Sequence, residues 1–151
     1  MAGLTLDAGA LIAYERGEPR VREILATAFA RGLVPTVPAV AIAEVWRGDA
    51  RDARVARLLK VSRIEPLDEA RAREAEALRR SVPGTGTIDA CIAFGVAQRG
   101  DAVATSDPHE MRTLPGSNAT ILAVGLLLDR GAQHERTGAP READPDLDCP
   151  I

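Results

Sequence analysis

The sequence predicts a three-layer α/β/α fold, a four- to five-stranded parallel sheet covered by helices on both faces. Two observations carry that expectation. Short apolar runs of strand length alternate along the chain with longer segments whose apolar positions recur every three or four residues. Glycine or proline punctuates most of the changeovers. Strands separated by helices pair in parallel, and a parallel sheet is buried on both faces.

Each element has its own reason. Residues 3–6 read as a short buried strand, and Asp7 opens a helical run that Gly17 closes. Pro19 suits a first helical turn, and Val21, Ile24, Leu25, Ala28 and Phe29 then mark an amphipathic helix ended by Gly32. Residues 33–37 are a second strand. Pro38 starts an apolar helix, Ala39 to Trp46, interrupted by Glu44 and closed by Gly48. A further helix runs from Asp49 to Lys60, with Val55, Leu58 and Leu59 inward, and residues 61–67 form a third strand leading into a loop. Asp68 to Arg80, dense in Ala, Glu and Arg, is a strong helix former. After the loop 83–87, Ile88 to Gln98 is a buried helix ended by Gly100, 102–105 a fourth strand, and a helical turn begins near Pro108 before a fifth strand over 120–124. Beyond Leu128 the pattern dissolves. Residues 129–151 hold six acids and three arginines and read as a flexible acidic tail behind a single folded domain, 1–128.

Composition narrows the function classes. Net charge is −3, so the overall field carries no nucleic-acid signal. Nearly all the positive charge is arginine, with Lys60 the only lysine. Cys91 and Cys149 form neither a disulfide framework nor a zinc pattern, which fits a reducing compartment. No secretory leader is recognisable, and no apolar run approaches the roughly 18 residues of a membrane span, so the expected location is the cytoplasm.

Four carboxylates sit where apolar segments start or end: Asp7, Glu44, Asp89 and Asp107. Asp7, between strand and helix, fits a helix cap as well as a site. Asp89 has the same ambiguity at the head of its helix. Asp107-Pro108-His109-Glu110 is close to a capping box. Glu44 lies too deep in its helix to cap it, and must face a solvated cleft, pair with a cation such as Arg47, or hold a metal. Ligands of open parallel sheets collect beyond the carboxyl ends of the strands, where Asp7 and Asp107 lie. Carboxylates converging there would repel without a cation, and oxygen ligands select Mg²⁺ or Mn²⁺ over zinc.

Leu6-Asp7-Ala8-Gly9-Ala10-Leu11-Ile12-Ala13, Ala43-Glu44-Val45, Ile88-Asp89-Ala90 and Thr105-Ser106-Asp107 resemble, in order and spacing, the acidic motifs of PIN-domain nucleases, the VapC-like ribonuclease toxins of type II toxin–antitoxin pairs in particular. The resemblance spans about residues 3–125. It implies a metal-dependent endoribonuclease in which Asp7, Glu44, Asp89 and Asp107 hold Mg²⁺ or Mn²⁺, Thr105 supplies a supporting hydroxyl and Glu110 a further acid. It also implies cleavage to a 5′-phosphate and a 3′-hydroxyl, a homodimer, and a small antitoxin that blocks the acidic crevice. The chain departs from the pattern at Gly9, where many relatives have serine.

Arg47, Arg51, Arg54 and Arg57 recur as one helix face that could follow an RNA backbone or meet an acidic partner, or else form a solvated face paired with Asp49 and Asp52. Aromatic residues are only 3% of the chain, which argues against RNA recognition on an aromatic platform. Trp46 reads as core or dimer interface, and neither His109 nor His134 is assigned a role. The competing reading is a PIN-like binding or assembly module whose acids are merely caps. A nucleotide-binding module is disfavoured, because Asp7-Ala8-Gly9-Ala10 is no glycine-rich phosphate loop.

Overall fold

A computed structural model describes residues 3–114 and 119–124, so the acidic segment 129–151 lies outside the described residues. Five parallel strands form one sheet: β1 (Leu4–Leu6), β2 (Thr36–Pro38), β3 (Arg63–Glu65), β4 (Ala102–Thr105) and β5 (Ile121–Ala123). Their spatial order is β3-β2-β1-β4-β5. The chain builds outward from β1 on one side, then crosses over and builds outward on the other. The reversal falls between β1 and β4, which pair Leu4 with Ala102, Thr5 with Val103 and Leu6 with Ala104.

Helices α1 (Ala8–Arg16) and α2 (Pro19–Ala30) connect β1 to β2, and α3 (Ala39–Val45) and α4 (Ala53–Leu59) connect β2 to β3. Helices α5 (Glu69–Ser81) and α6 (Thr87–Arg99) make the long crossover to β4, and α7 (Pro108–Thr113) leads to β5. Adjacent residues of a strand point to opposite faces. Leu4 shares a cavity with Ile24 and Ala28 of α2, whereas the Thr5 hydroxyl accepts from Arg99 at the end of α6 at 2.8 Å. The two helices therefore cover opposite faces, and the fold is the expected three-layer one.

Several boundaries differ from the sequence expectation. Strand β2 begins at Thr36 and ends on Pro38, so the proline closes the strand instead of opening the helix. Strand β3 is cut to Arg63–Glu65. The segment 49–60 divides into a 3₁₀ turn (Ala50–Asp52) and α4, because Asp52 is not solvated. Its buried carboxylate accepts the backbone N–H groups of Arg47, Gly48 and Asp49 and so organises the whole α3–α4 turn. Helix α6 starts at Thr87, which puts Asp89 inside its first turn, where it makes no capping bond. Trp46 stands 47% exposed just past α3, which removes the core reading for it. Among the described residues, no helix is long and apolar enough to cross a membrane.

A charged network that periodicity did not reveal ties the layers together. Arg99 donates to Asp101 at 2.7 Å, to Thr5 and to Glu65, while Arg71 pairs with the same Glu65 at 2.5 Å and donates to Gln98 at 2.7 Å. Thr5 in turn donates to Asp101 at 2.8 Å. Strands β1 and β3 and helices α5 and α6 thus meet around one guanidinium. Truncating one member of a buried pair strands the other charge. Arg99→Met should therefore lower stability by about 3 kcal/mol, read as an earlier urea midpoint. An unchanged midpoint would mean the network holds nothing together.

Candidate functional site

The two strands flanking the crossover reversal both end in acids. Asp7 leaves β1 with an extended backbone and caps α1, its Oδ1 accepting the Ala10 N–H at 2.6 Å. Its own N–H donates to the Ala104 carbonyl at 3.2 Å, fastening it to the end of β4. On the β4 side the Asp107 N–H donates to Thr105 Oγ1 at 2.9 Å, and the Thr105 hydroxyl bonds onward to the Asp7 carboxylate. A single buried hydroxyl thus joins the two strand ends.

Asp7 is only 7% exposed. Burial pushes its carboxyl up from the ordinary 3.8 to about 6, against the lowering effect of the Thr105 and Ala10 hydrogen bonds, and the negative charges of Asp89 and Glu44 push the same way. Asp89 is half-buried, with its Oδ2 lying so close over Gly86 that a Cβ there would come within 2.5 Å. Glu44 is exposed. Its candidate partner Arg47 instead pairs with Glu15 at 2.7 Å, which leaves the acid facing the crevice charge. Asp107 caps α7, accepting the Glu110 N–H at 3.2 Å. The Glu110 side chain bonds to Asp89, and its carboxyl is raised by the Asp89 charge first, then by burial and by Asp107.

The charges of Asp89 and Glu44 reach Asp7, and those of Asp89 and Asp107 reach Glu110, near the switch point of the sheet, the place where an open parallel sheet binds ligands. The capping reading holds for Asp7 and Asp107 but does not account for Glu44 or Asp89. All the side-chain donors are carboxylate oxygens, a set that suits a hard divalent ion. Among the described residues, no three His, Cys, Asp or Glu side chains are gathered closely enough to hold one ion between them. Mg²⁺ does not require such a cage, since it commonly uses one or two carboxylates together with water and substrate phosphate.

The sequence model of the PIN domain matches residues 4–115. The chain belongs to the PIN-domain family. Several solved structures are similar to it. VapBC2 from Rickettsia felis, bound to a DNA fragment from its promoter, aligns with a TM-score of 0.64 at 12% identity, over 78% of this chain and 96% of that one. DNA-bound VapBC from Salmonella typhimurium aligns with a TM-score of 0.63 at 20% identity, over 80% and 97%. PAE2754 from Pyrobaculum aerophilum gives 0.57 at 16% identity, over 80% and 84%. At these identities the likeness is one of fold. No curated protein matches the sequence.

The glycine that departs from the family pattern has a local cause in this PIN domain. A Cβ on Gly9 would collide with the Ser106 hydroxyl and come 2.8 Å from Ser106 Cβ and 3.1 Å from its backbone nitrogen. Ser106 thus fills the space a side chain at position 9 would need, and places a hydroxyl beside the first turn of α1.

The arginine stripe does not survive as one helix face. Arg47 lies beyond α3, Arg51 sits in the 3₁₀ turn paired with Asp49 at 2.6 Å, and only Arg54 and Arg57 belong to α4. Arg54 reaches the Glu15 carbonyl at 3.0 Å, and Arg57 bonds to Ala53 O within its own helix. Sequence reasoning also missed the part played by Ser106, whose only signal was its place between Thr105 and Asp107.

The raised carboxyl of Asp7 has a consequence for folding in metal-free buffer. Below about pH 4 it is protonated in both folded and unfolded chains and contributes nothing. As pH climbs from about 4 to 6 only the unfolded chain ionises, so stability falls, and above 6 a penalty of about 3 kcal/mol persists. Asparagine caps a helix as well as aspartate does. In EDTA, Asp7→Asn should therefore unfold later than the parent at pH 8 and together with it near pH 3.5. Denaturation at the two pH values checks this, and a pH-independent difference would contradict it.

Proposed function

We propose that this PIN domain is a metal-dependent endoribonuclease, the toxin of a toxin–antitoxin pair that restrains translation or growth. The observation that supports the reading is the buried carboxyl of Asp7 beside the switch point, raised chiefly by burial and further by the charges of Asp89 and Glu44. Acids that gain nothing from one another in folding make sense around a cation. Drawn from Asp7, Glu44, Asp89 and Asp107, one or two carboxylates at a time would hold Mg²⁺ or Mn²⁺ together with water and substrate phosphate, with Glu110 as an auxiliary. A divalent ion, when bound, supplies the positive charge that eases ionisation of an attacking water and offsets charge on the phosphodiester.

The chain's own residues do the rest by position. Thr105 and the Ala10 N–H hold the Asp7 carboxylate in one orientation, so it needs no rearrangement to act. Glu110 stands beside Asp89 and Asp107, whose charges raise its carboxyl, and it would be an auxiliary oxygen ligand or water-orienting group for a bound ion. In hydrolysis the water oxygen bonds to phosphorus, the bond to the 3′ oxygen breaks, and that oxygen takes a proton, leaving a 5′-phosphate and a 3′-hydroxyl. No side-chain nucleophile takes part.

The VapBC assemblies among the similar structures support a small antitoxin as partner. The half-exposed Trp46 at the end of α3 supports a homodimer contact near Arg47. Of the four arginines of the sequence stripe, Arg47 and Arg51 are held by Glu15 and Asp49, and Arg54 and Arg57 are the ones left, among the described residues, without a carboxylate to meet RNA or the partner.

The test is cutting of structured cellular RNA with Mn²⁺ or with EDTA. Cutting should need the metal and vanish in Asp7→Asn, while Thr105→Val should slow it about 10–100-fold by loosening Asp7. Equal cutting by the parent and Asp7→Asn would sink the assignment. Mn²⁺ should also delay thermal unfolding of the parent but not of Asp7→Asn.

A further inference from the structure

At the opposite end of α1 from Asp7 lies a cavity of about 460 Å³ lined by Tyr14, Arg16, Gly17, Arg22, Arg54 and Arg57. Three helices contribute its four guanidinium groups: α1, α2 and α4. Among the described residues, none of these four arginines has a carboxylate partner. Eight other arginines do, Arg47, Arg51 and Arg99 among them. In an acidic chain rich in glutamate and aspartate, four exposed cations without carboxylates around one cavity make a positive surface that an anion would complement.

Closing the helix does not explain them. The last carbonyls of α1 are already satisfied: Ala13 O by the Glu18 N–H at 3.0 Å, Tyr14 O by the Gly17 N–H at 3.0 Å, and Glu15 O by Arg54. Gly17 adopts a left-handed φ of 75°, and a Cβ there would press on Arg54 Nη1 at 2.7 Å, so the glycine gives Arg54 its room. Arg54 and Arg57 each commit one N–H to a backbone carbonyl, out of the five a guanidinium offers. Among the described residues, Arg16 and Arg22 make no side-chain hydrogen bond or ion pair to another element.

The lining also says which anion. Four guanidinium forks match phosphate oxygens, and the cavity is of the size that small ligands occupy. Tyr14, the only tyrosine of the chain, lines the cavity with a ring that is partly buried against the core. A base stacks on such a ring, whereas an acidic peptide gains little from it. We infer that this cavity binds one nucleotide of single-stranded RNA away from the scissile bond, its phosphates on the arginines and its base against Tyr14. Helix α1 has nine residues and spans about 13 Å, so one short stretch of strand can reach from the cavity to the acidic crevice. The inference rests on the nuclease reading for its substrate class, and it departs from the sequence expectation that aromatic stacking plays no part.

Binding of a mixed-sequence single-stranded RNA to the full chain tests it, by fluorescence anisotropy in EDTA across a salt series. Arg22→Gln/Arg57→Gln should bind about tenfold more weakly, with a salt dependence shallower by about 0.7 for each phosphate no longer neutralised. Tyr14→Ala should cost about tenfold while Tyr14→Phe binds like the parent, because stacking needs the ring and not the hydroxyl. Arg73→Gln, an exposed pair with Glu69, is the control and should change nothing. Thermal melts confirm that the variants are folded. Parent-like affinity and salt slope in the double variant would overturn the inference even if RNA is cut. Arginine-dependent binding without metal-dependent cutting would uphold it while removing the nuclease reading. A double variant that no longer binds a glutamate-rich peptide, with RNA affinity unchanged, would overturn it in favour of an acidic protein partner.

Discussion

The parallel pairing of β1 with β4 is the constraint on which the rest depends. These strands are far apart in sequence and adjacent only because the chain reverses its direction of crossover between them. Their register sets Leu6 opposite Ala104, so β1 ends one residue before β4, and Asp7 on one side and Ser106 and Asp107 on the other leave the sheet close together. The Asp7 N–H bonds to Ala104 O, and Thr105 bonds to Asp7 and receives Asp107, which converts a backbone register into a side-chain site. A one-residue slip would turn every side chain of β4 to the other face and take Thr105 away from Asp7.

Charge is handled in two different ways in this molecule. Around Arg99, charges are buried in pairs and each carboxylate has its cation. In the crevice, acids face acids, and Asp7 is governed chiefly by the loss of water, not by the gain of a partner. The first arrangement holds layers together. The second opposes folding and persists because the surrounding hydrogen bonds determine where Asp7 must lie.

The layered fold was legible because each helix carries an apolar repeat and most elements end on glycine or proline. Two missed boundaries share a cause: at Pro38 strand pairing with Glu65, and at Asp52 the capture of three backbone N–H groups, overrode local pattern. Glu44 was legible as something other than a cap, and it is not one; the capping roles expected of Asp7 and Asp107 are also present. The arginine stripe misled because spacing in sequence assumed a continuous helix where Asp52 gathers three backbone N–H groups into a turn. The Arg99 network and the tie between Gly9 and Ser106 were invisible to any periodicity, since each joins residues far apart in sequence.

Folding alone does not explain an aspartate at position 7. Its cap to Ala10 is worth about 1 kcal/mol, and the positive end of α1 adds at most a similar amount for a negative charge there. Burial of the same carboxyl opposes folding by about 3 kcal/mol above pH 6. Asparagine would keep the cap, keep an oxygen for the Thr105 hydroxyl and avoid the ionisation penalty. Stability would therefore favour the amide. What the amide cannot do is present a full negative charge beside Asp89 and Glu44, and that charge is what a cation would need.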